Sequence, residues 1–97
     1  MKYRVVFSSS AIERHFKREL EKIAADKQDE IMDAVLALSE NQRPQGVLKI
    51  KPAVAIFHSL AQYRFRIGDH RVFYDIDERR KLVLVIALRR RNESTYR

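Results

Sequence analysis

The fifteen residues Gln62-Tyr63-Arg64-Phe65-Arg66-Ile67-Gly68-Asp69-His70-Arg71-Val72-Phe73-Tyr74-Asp75-Ile76 decide the fold. Tyr63, Phe65 and Ile67 alternate with Gln62, Arg64 and Arg66, the period of a half-buried strand. Gly68-Asp69 reads as a two-residue turn, with glycine first as a type II′ turn prefers. The return strand is expected over His70 to Asp77. A two-residue turn fixes the register. Ile67 then faces His70, Arg66 faces Arg71, Phe65 faces Val72, Arg64 faces Phe73 and Tyr63 faces Tyr74. One face carries Tyr63, Phe65, Ile67, Val72, Tyr74 and Ile76, which is the expected core. The other carries Arg64, Arg66, Arg71, Phe73 and Asp75. Arginines placed directly opposite each other cost roughly 0.2–1 kcal/mol per pair. A sequence shaped by stability alone would avoid them, so this face points to a function that needs converging positive charge. Three arginines on a sheet suit a phosphodiester, because a guanidinium chelates two oxygens. They would also stabilise the extra charge of a pentacovalent phosphorus in RNA transesterification.

Outward from the hairpin, Asp77 to Arg80 turns the chain again. Leu82-Val83-Leu84-Val85-Ile86-Ala87-Leu88 is apolar throughout and is expected as a central strand covered on both faces. The tail from Arg89 to Arg97 is expected to leave the sheet. On the other side, residues 47–60 resist reading. Val47 to Lys51 alternates like a strand, Pro52 limits it to an edge, and Ala53 to Leu60 fits strand, helix or packed loop. Asn41 to Gly46 is a loop by its Pro, Gly and Asn content. Before it, Ile12, Phe16, Leu20 and Ile23 form one face of a first helix, with Ser10 and Glu13 as a capping box. Ile31, Val35 and Leu38 form the stripe of a second helix, capped by Asp26 and ending near Ser39. Lys2 to Phe7 reads as a short strand. The order is a short N-terminal strand, a helical hairpin, then an antiparallel β-meander packed on the helices. That is an α+β fold in one domain, residues 1–97.

Composition sets the outer limits. The chain of 97 residues has 45% hydrophobic residues, enough for a packed domain. It has no cysteine, which excludes a disulfide scaffold, a thiolate metal site and a thiol nucleophile. No apolar run approaches ~18 residues, so no membrane span is expected, and no signal peptide is evident. A cytoplasmic protein is the expectation. The net charge of +7 favours a polyanionic partner. It is concentrated in residues 61–97, which carry ten basic and five acidic side chains.

A second basic cluster, Arg89-Arg90-Arg91, follows the buried strand directly. Tyr96 stands close behind it, where many guanidiniums would lower the pKa of its phenol and make it a proton donor or stacking platform. His15, His58 and His70 have no metal-site spacing, so no metal or other cofactor is expected.

The hairpin resembles the core motif of the RelE/ParE toxin superfamily, and Arg91 through Tyr96 resembles that family's closing motif. Arg43-Pro44 after the second helix agrees as well. The resemblance implies a RelE-like microbial RNase-type fold and a type II toxin held inactive by an antitoxin. It implies a ribosome-dependent mRNA endonuclease that uses the ribose 2′-hydroxyl as nucleophile without metal. By position, Arg64 and Arg66 take the places of basic residues around the 2′-hydroxyl and phosphate. Arg71 takes that of the arginine holding the scissile phosphate, Arg90 or Arg91 that of the arginine near the leaving group, and Tyr96 that of the C-terminal tyrosine. Arg89, Arg90, Lys49 and Lys51 are expected to bind RNA. Arginine is a poor base because its pKa exceeds ~12. The proton acceptor is therefore left open between Tyr96, His70 and a ribosomal group. The family also contains ParE-like gyrase inhibitors on the same fold, which is the alternative function. The expected partners are an acidic antitoxin that folds on binding and mRNA on the ribosome.

Overall fold

The structure is a computed structural model that describes residues 2–90. A short strand β1 (Arg4–Phe7) leads into α1 (Ser10–Glu21) and α2 (Ala25–Ala37). Four strands follow: β2 (Leu48–Ile56), β3 (Ser59–Ile67), β4 (His70–Asp77) and β5 (Leu82–Arg90). They form a five-stranded sheet in the order β1-β5-β4-β3-β2. All neighbours are antiparallel except β1 and β5, which run parallel with Val5 opposite Val83 and Phe7 opposite Val85.

The deciding hairpin has the expected register throughout, from Tyr63 opposite Tyr74 to Ile67 opposite His70. Gly68 takes φ +56° while Asp69 keeps a negative φ, the pattern of a type II′ turn. Its apolar face packs on the helices. Phe16, Ile31 and Val35 meet Val72, Val85 and Leu88, all but Leu88 less than 3% exposed. Burying a side chain such as Phe16 is worth roughly 1.5–3 kcal/mol. Tyr74 is fully buried, with the Tyr63 ring stacked at 5.6 Å and the Phe65 ring edge-on at 5.8 Å. Its hydroxyl donates to the Gln42 carbonyl at 2.8 Å, so the buried polar atom is satisfied. Burial raises its pKa well above that of an ordinary tyrosine.

Four sequence expectations need correction. The first cap is Ser9, not Ser10: its hydroxyl accepts from the Ile12 amide at 3.2 Å, and Ser10 is already helical. Asp26 lies inside the first turn of α2, where its charge favours the helix dipole, while Ala24 occupies the cap position without a side-chain bond. Arg89 and Arg90 do not leave the sheet, because β4 continues opposite them as far as His70. The unread stretch 47–60 is not one edge strand and an ambiguous segment: it holds all of β2 and the start of β3. The two strands pair from Leu48 opposite Arg64 to Ile56 opposite Ser59, with a register irregularity between Lys49 and Val54 that contains the cis Lys51–Pro52 bond.

The tip of the β2–β3 hairpin turns at Phe57-His58, both in the left-handed region (φ 48° and 66°), the pattern of a type I′ turn. From there it reaches back to the start of α1. The Ser59 and Ser8 hydroxyls are 2.7 Å apart, and the Phe57 and His15 rings are 4.5 Å apart. Ile56 and Ala61 pack with Ile12, Phe73, Ile86 and Ala87 as a further buried cluster. Strand β5 is thus covered on both sides, as its unbroken apolar run requires.

Candidate functional site

The sheet brings the hairpin arginines together and adds a fourth. Arg66 stands opposite Arg71, and Arg71 in turn stands opposite Arg89. Three neighbouring strands therefore carry a row of arginines, with Arg64 two residues from Arg66 on the same face. Arg66 and Arg89 are exposed, while Arg64 and Arg71 are half-buried. Arg64, Arg66 and Arg71 line a cavity of about 50 Å³ with Gly46 and Leu48. Gly46 has φ +93°, so the loop after α2 reaches the cavity through a backbone shape that a side chain would strain. The Arg89 guanidinium lies 5.8 Å from the Phe73 ring centre. Asp75, the carboxylate on this face, accepts from Gln62 at 3.1 Å. The arrangement is a shallow cationic surface able to hold a phosphodiester by charge and by bidentate hydrogen bonds.

Other candidates lie elsewhere. Arg90 stands opposite His70, on the alternate face from Arg71 and Arg89. Both residues line a separate groove with Ile23, Ile31 and Ile67 near the helical turn. His70 therefore does not approach the arginine row. Lys49 stands opposite Tyr63, also on the alternate face, with its Nζ 5.9 Å from the Tyr63 ring. Lys51 is exposed within the irregular part of β2. Arg91 and Tyr96 lie outside the described residues. Among the described residues no group of His, Asp or Glu side chains could hold a metal ion. No helix among them is long and apolar enough to cross a membrane.

Next to the site is a polar clamp that the sequence did not announce. Arg43 binds the Glu78 carboxylate and donates to the Tyr63 hydroxyl at 3.2 and 3.3 Å. Tyr3 donates to the other Glu78 oxygen at 2.9 Å. The hydrogen bond from Arg43, followed by that from Tyr3, holds the Glu78 carboxyl below its ordinary pKa. Four segments far apart in sequence are tied here, one of them β3 at the residue preceding Arg64.

The sequence matches a known class of protein, the small toxins of toxin–antitoxin pairs. Residues 5–95 match the family model of the ParE toxin of the type II toxin–antitoxin system parDE, and the chain belongs to that family. The chain is accordingly a type II toxin within the RelE/ParE superfamily. Among solved structures it is similar to the archaeal RelE–RelB complex of Pyrococcus horikoshii OT3, with TM-score 0.72 and 21% identity over 97% of this chain and 100% of that one. It is also similar to the RelBE2 toxin–antitoxin complex of Mycobacterium tuberculosis, with TM-score 0.61 and 17% identity over 94% and 100%. A third likeness is to a mutant of E. coli toxin RelE in the free state, with TM-score 0.60 and 16% identity over 98% and 90%. Among curated proteins, none matches the chain by sequence.

Proposed function

We propose that this toxin is a ribosome-dependent mRNA endonuclease of the RelE kind. The observation that carries the reading is the row Arg66–Arg71–Arg89 across three strands, with Arg64 beside it. In the reaction the 2′-hydroxyl of one nucleotide attacks its own 3′-phosphorus. The bond to the next 5′-oxygen breaks, leaving a 2′,3′-cyclic phosphate and a 5′-hydroxyl. Arg71, flanked by Arg66 and Arg89, holds the phosphate and offsets the charge that grows on its oxygens. Arg64 and Arg66 lie where the 2′-hydroxyl enters and favour its deprotonated form. Neither is the base; the 2′-proton passes to Tyr96 or a ribosomal group, and the 5′-oxygen takes up a proton as it leaves. Arg91 and Tyr96 supply the leaving-group side in this reading. No cofactor enters the reaction.

The likeness to RelE–RelB and RelBE2 complexes supports a cognate antitoxin as partner. An acidic antitoxin segment would neutralise the arginine row by covering it. The ribosome would place the toxin in the cytoplasm. Brief induction of the chain alone in bacteria, with mRNA 5′ ends mapped by primer extension, tests the reading. New ends within translated codons, lost when translation is blocked, are expected.

The match to the ParE family model favours one second reading, inhibition of DNA gyrase without RNA cleavage. Growth arrest with intact mRNA and loss of supercoiling would establish it and remove the first.

A further inference from the structure

Beyond the arginine row, on the side of Arg89, a groove of about 220 Å³ opens between α1, the tip of the β2–β3 hairpin and β5. His15 and Phe57 line it together with Ala87, Leu88 and Arg89 of β5. Glu19 stands at the α1 side.

Three features of this groove are unusual for packing alone. Phe57, a bulky residue, is held at φ 48° beside His58 at φ 66°, in a turn that normally takes Asn and Gly. Phe57 is nevertheless 48% exposed, so the strained backbone does not serve to bury its ring. The exposed His15 ring lies against it at a tilt of 34°. The two-residue turn accounts for the positive φ values, but not for an aromatic ring left exposed there beside a second ring and a cation. The groove is also smaller than the ~300–1,000 Å³ of a drug-sized ligand site. It suits a flat fragment.

Charge selects which fragment. Arg89 on β5 attracts a phosphate, and Glu19 on α1 repels one. An aromatic wall beside a cationic track is the arrangement by which single-stranded nucleic acid is held, its backbone on the cations and its bases on the rings.

We infer that this groove is a base subsite: the nucleotide next to the one held by Arg71 lays its base on Phe57 and His15, with Arg89 on its phosphate. This rests on the nuclease reading and adds a position that recognises a flanking nucleotide. The test is binding of the full chain to a fluorescein-labelled RNA tetranucleotide with 2′-O-methyl ribose throughout, which blocks cleavage. Phe57→Ala is expected to weaken binding about 5- to 100-fold, the effect of losing one base–aromatic stack. Phe57→Tyr should stay within about two-fold of wild type, because it keeps the ring. One tetranucleotide abasic at a single position should bind the wild type as weakly as the intact RNA binds Phe57→Ala, with no further loss when both changes are combined. His15→Ala, placed on α1 and away from the strained turn, should weaken binding in the same direction.

Wild-type affinity retained by Phe57→Ala and His15→Ala, with Arg71→Ala impaired, overturns the subsite and leaves the nuclease reading standing. Absence of binding by the wild-type chain overturns the subsite too, while the nuclease reading is decided separately by the 5′ ends in cells.

Discussion

Arg71 carries the heaviest demand of any single side chain, since it has arginine on both sides in neighbouring strands. Arg71→Ala should lower mRNA cleavage about 100- to 1,000-fold, the range for removing one charge-stabilising donor, and abolish growth arrest. A folded Arg71→Ala protein, by circular dichroism, with full toxicity would exclude this site. The cost of the row should show in stability. Arg66→Gln removes one directly opposed like-charge pair and should raise unfolding free energy in urea by about 0.2–1 kcal/mol while lowering activity. Glu78 makes the opposite contribution. Its pKa is lower folded than unfolded, so its stabilisation is complete above the unfolded value and fades as pH falls through the folded one. Wild type should therefore exceed Glu78→Gln in thermal stability at neutral pH, and the gap should close in acid. A gap that persisted unchanged at pH 2 would disprove the pairing. The arginines of the hairpin were legible because a two-residue turn leaves one register. The clamp was not, because Tyr3, Arg43, Tyr63 and Glu78 meet only after the sheet has formed, and nothing in their spacing records it.

At the scale of elements, local chemistry explains both what could be read and what could not. Alternation, a glycine turn and an unbroken apolar run are strong signals, and they yielded β3, β4 and β5 where they occur. The start of β3 was hidden because its turn, Phe57-His58, contains no Gly, Asn or Asp. Strand β2 was hidden by Pro52 and by the extra residues between Lys49 and Val54, which break the alternation. At the first helix three serines, Ser8, Ser9 and Ser10, stand in succession, and only the hydroxyl bond from the Ile12 amide selects Ser9. Ser9→Ala should accordingly cost about 1 kcal/mol, read by urea unfolding, whereas Ser10→Ala should cost much less. At the hairpin tip, His58→Gly relieves a left-handed residue that contributes nothing to the buried clusters. It should raise stability by roughly 0.5–1 kcal/mol, the relief of strain less the backbone freedom that glycine loses.

For the whole molecule, the charge of +7 is less informative than where the sheet directs it. Arg64, Arg66, Arg71 and Arg89 share one face, while Arg90 and Lys49 turn to the other. If about four cations meet the RNA backbone, log affinity should fall with log salt at a slope near −2.8, about −0.7 per phosphate for a single strand. A slope close to zero would remove this face as the RNA surface. The parallel pairing of β1 with β5 has a consequence for how the molecule comes into being. The first strand waits for a partner that begins seventy-eight positions later, at Leu82 opposite Arg4. Strand β5 must then enter between two strands made earlier, β1 and β4. During synthesis, every shorter nascent chain lacks both the seam that closes the sheet and the strand that presents Arg89. Closure of the sheet is thus gated by β5, the strand made last, and Arg89 takes its place beside Arg71 only when that strand is in.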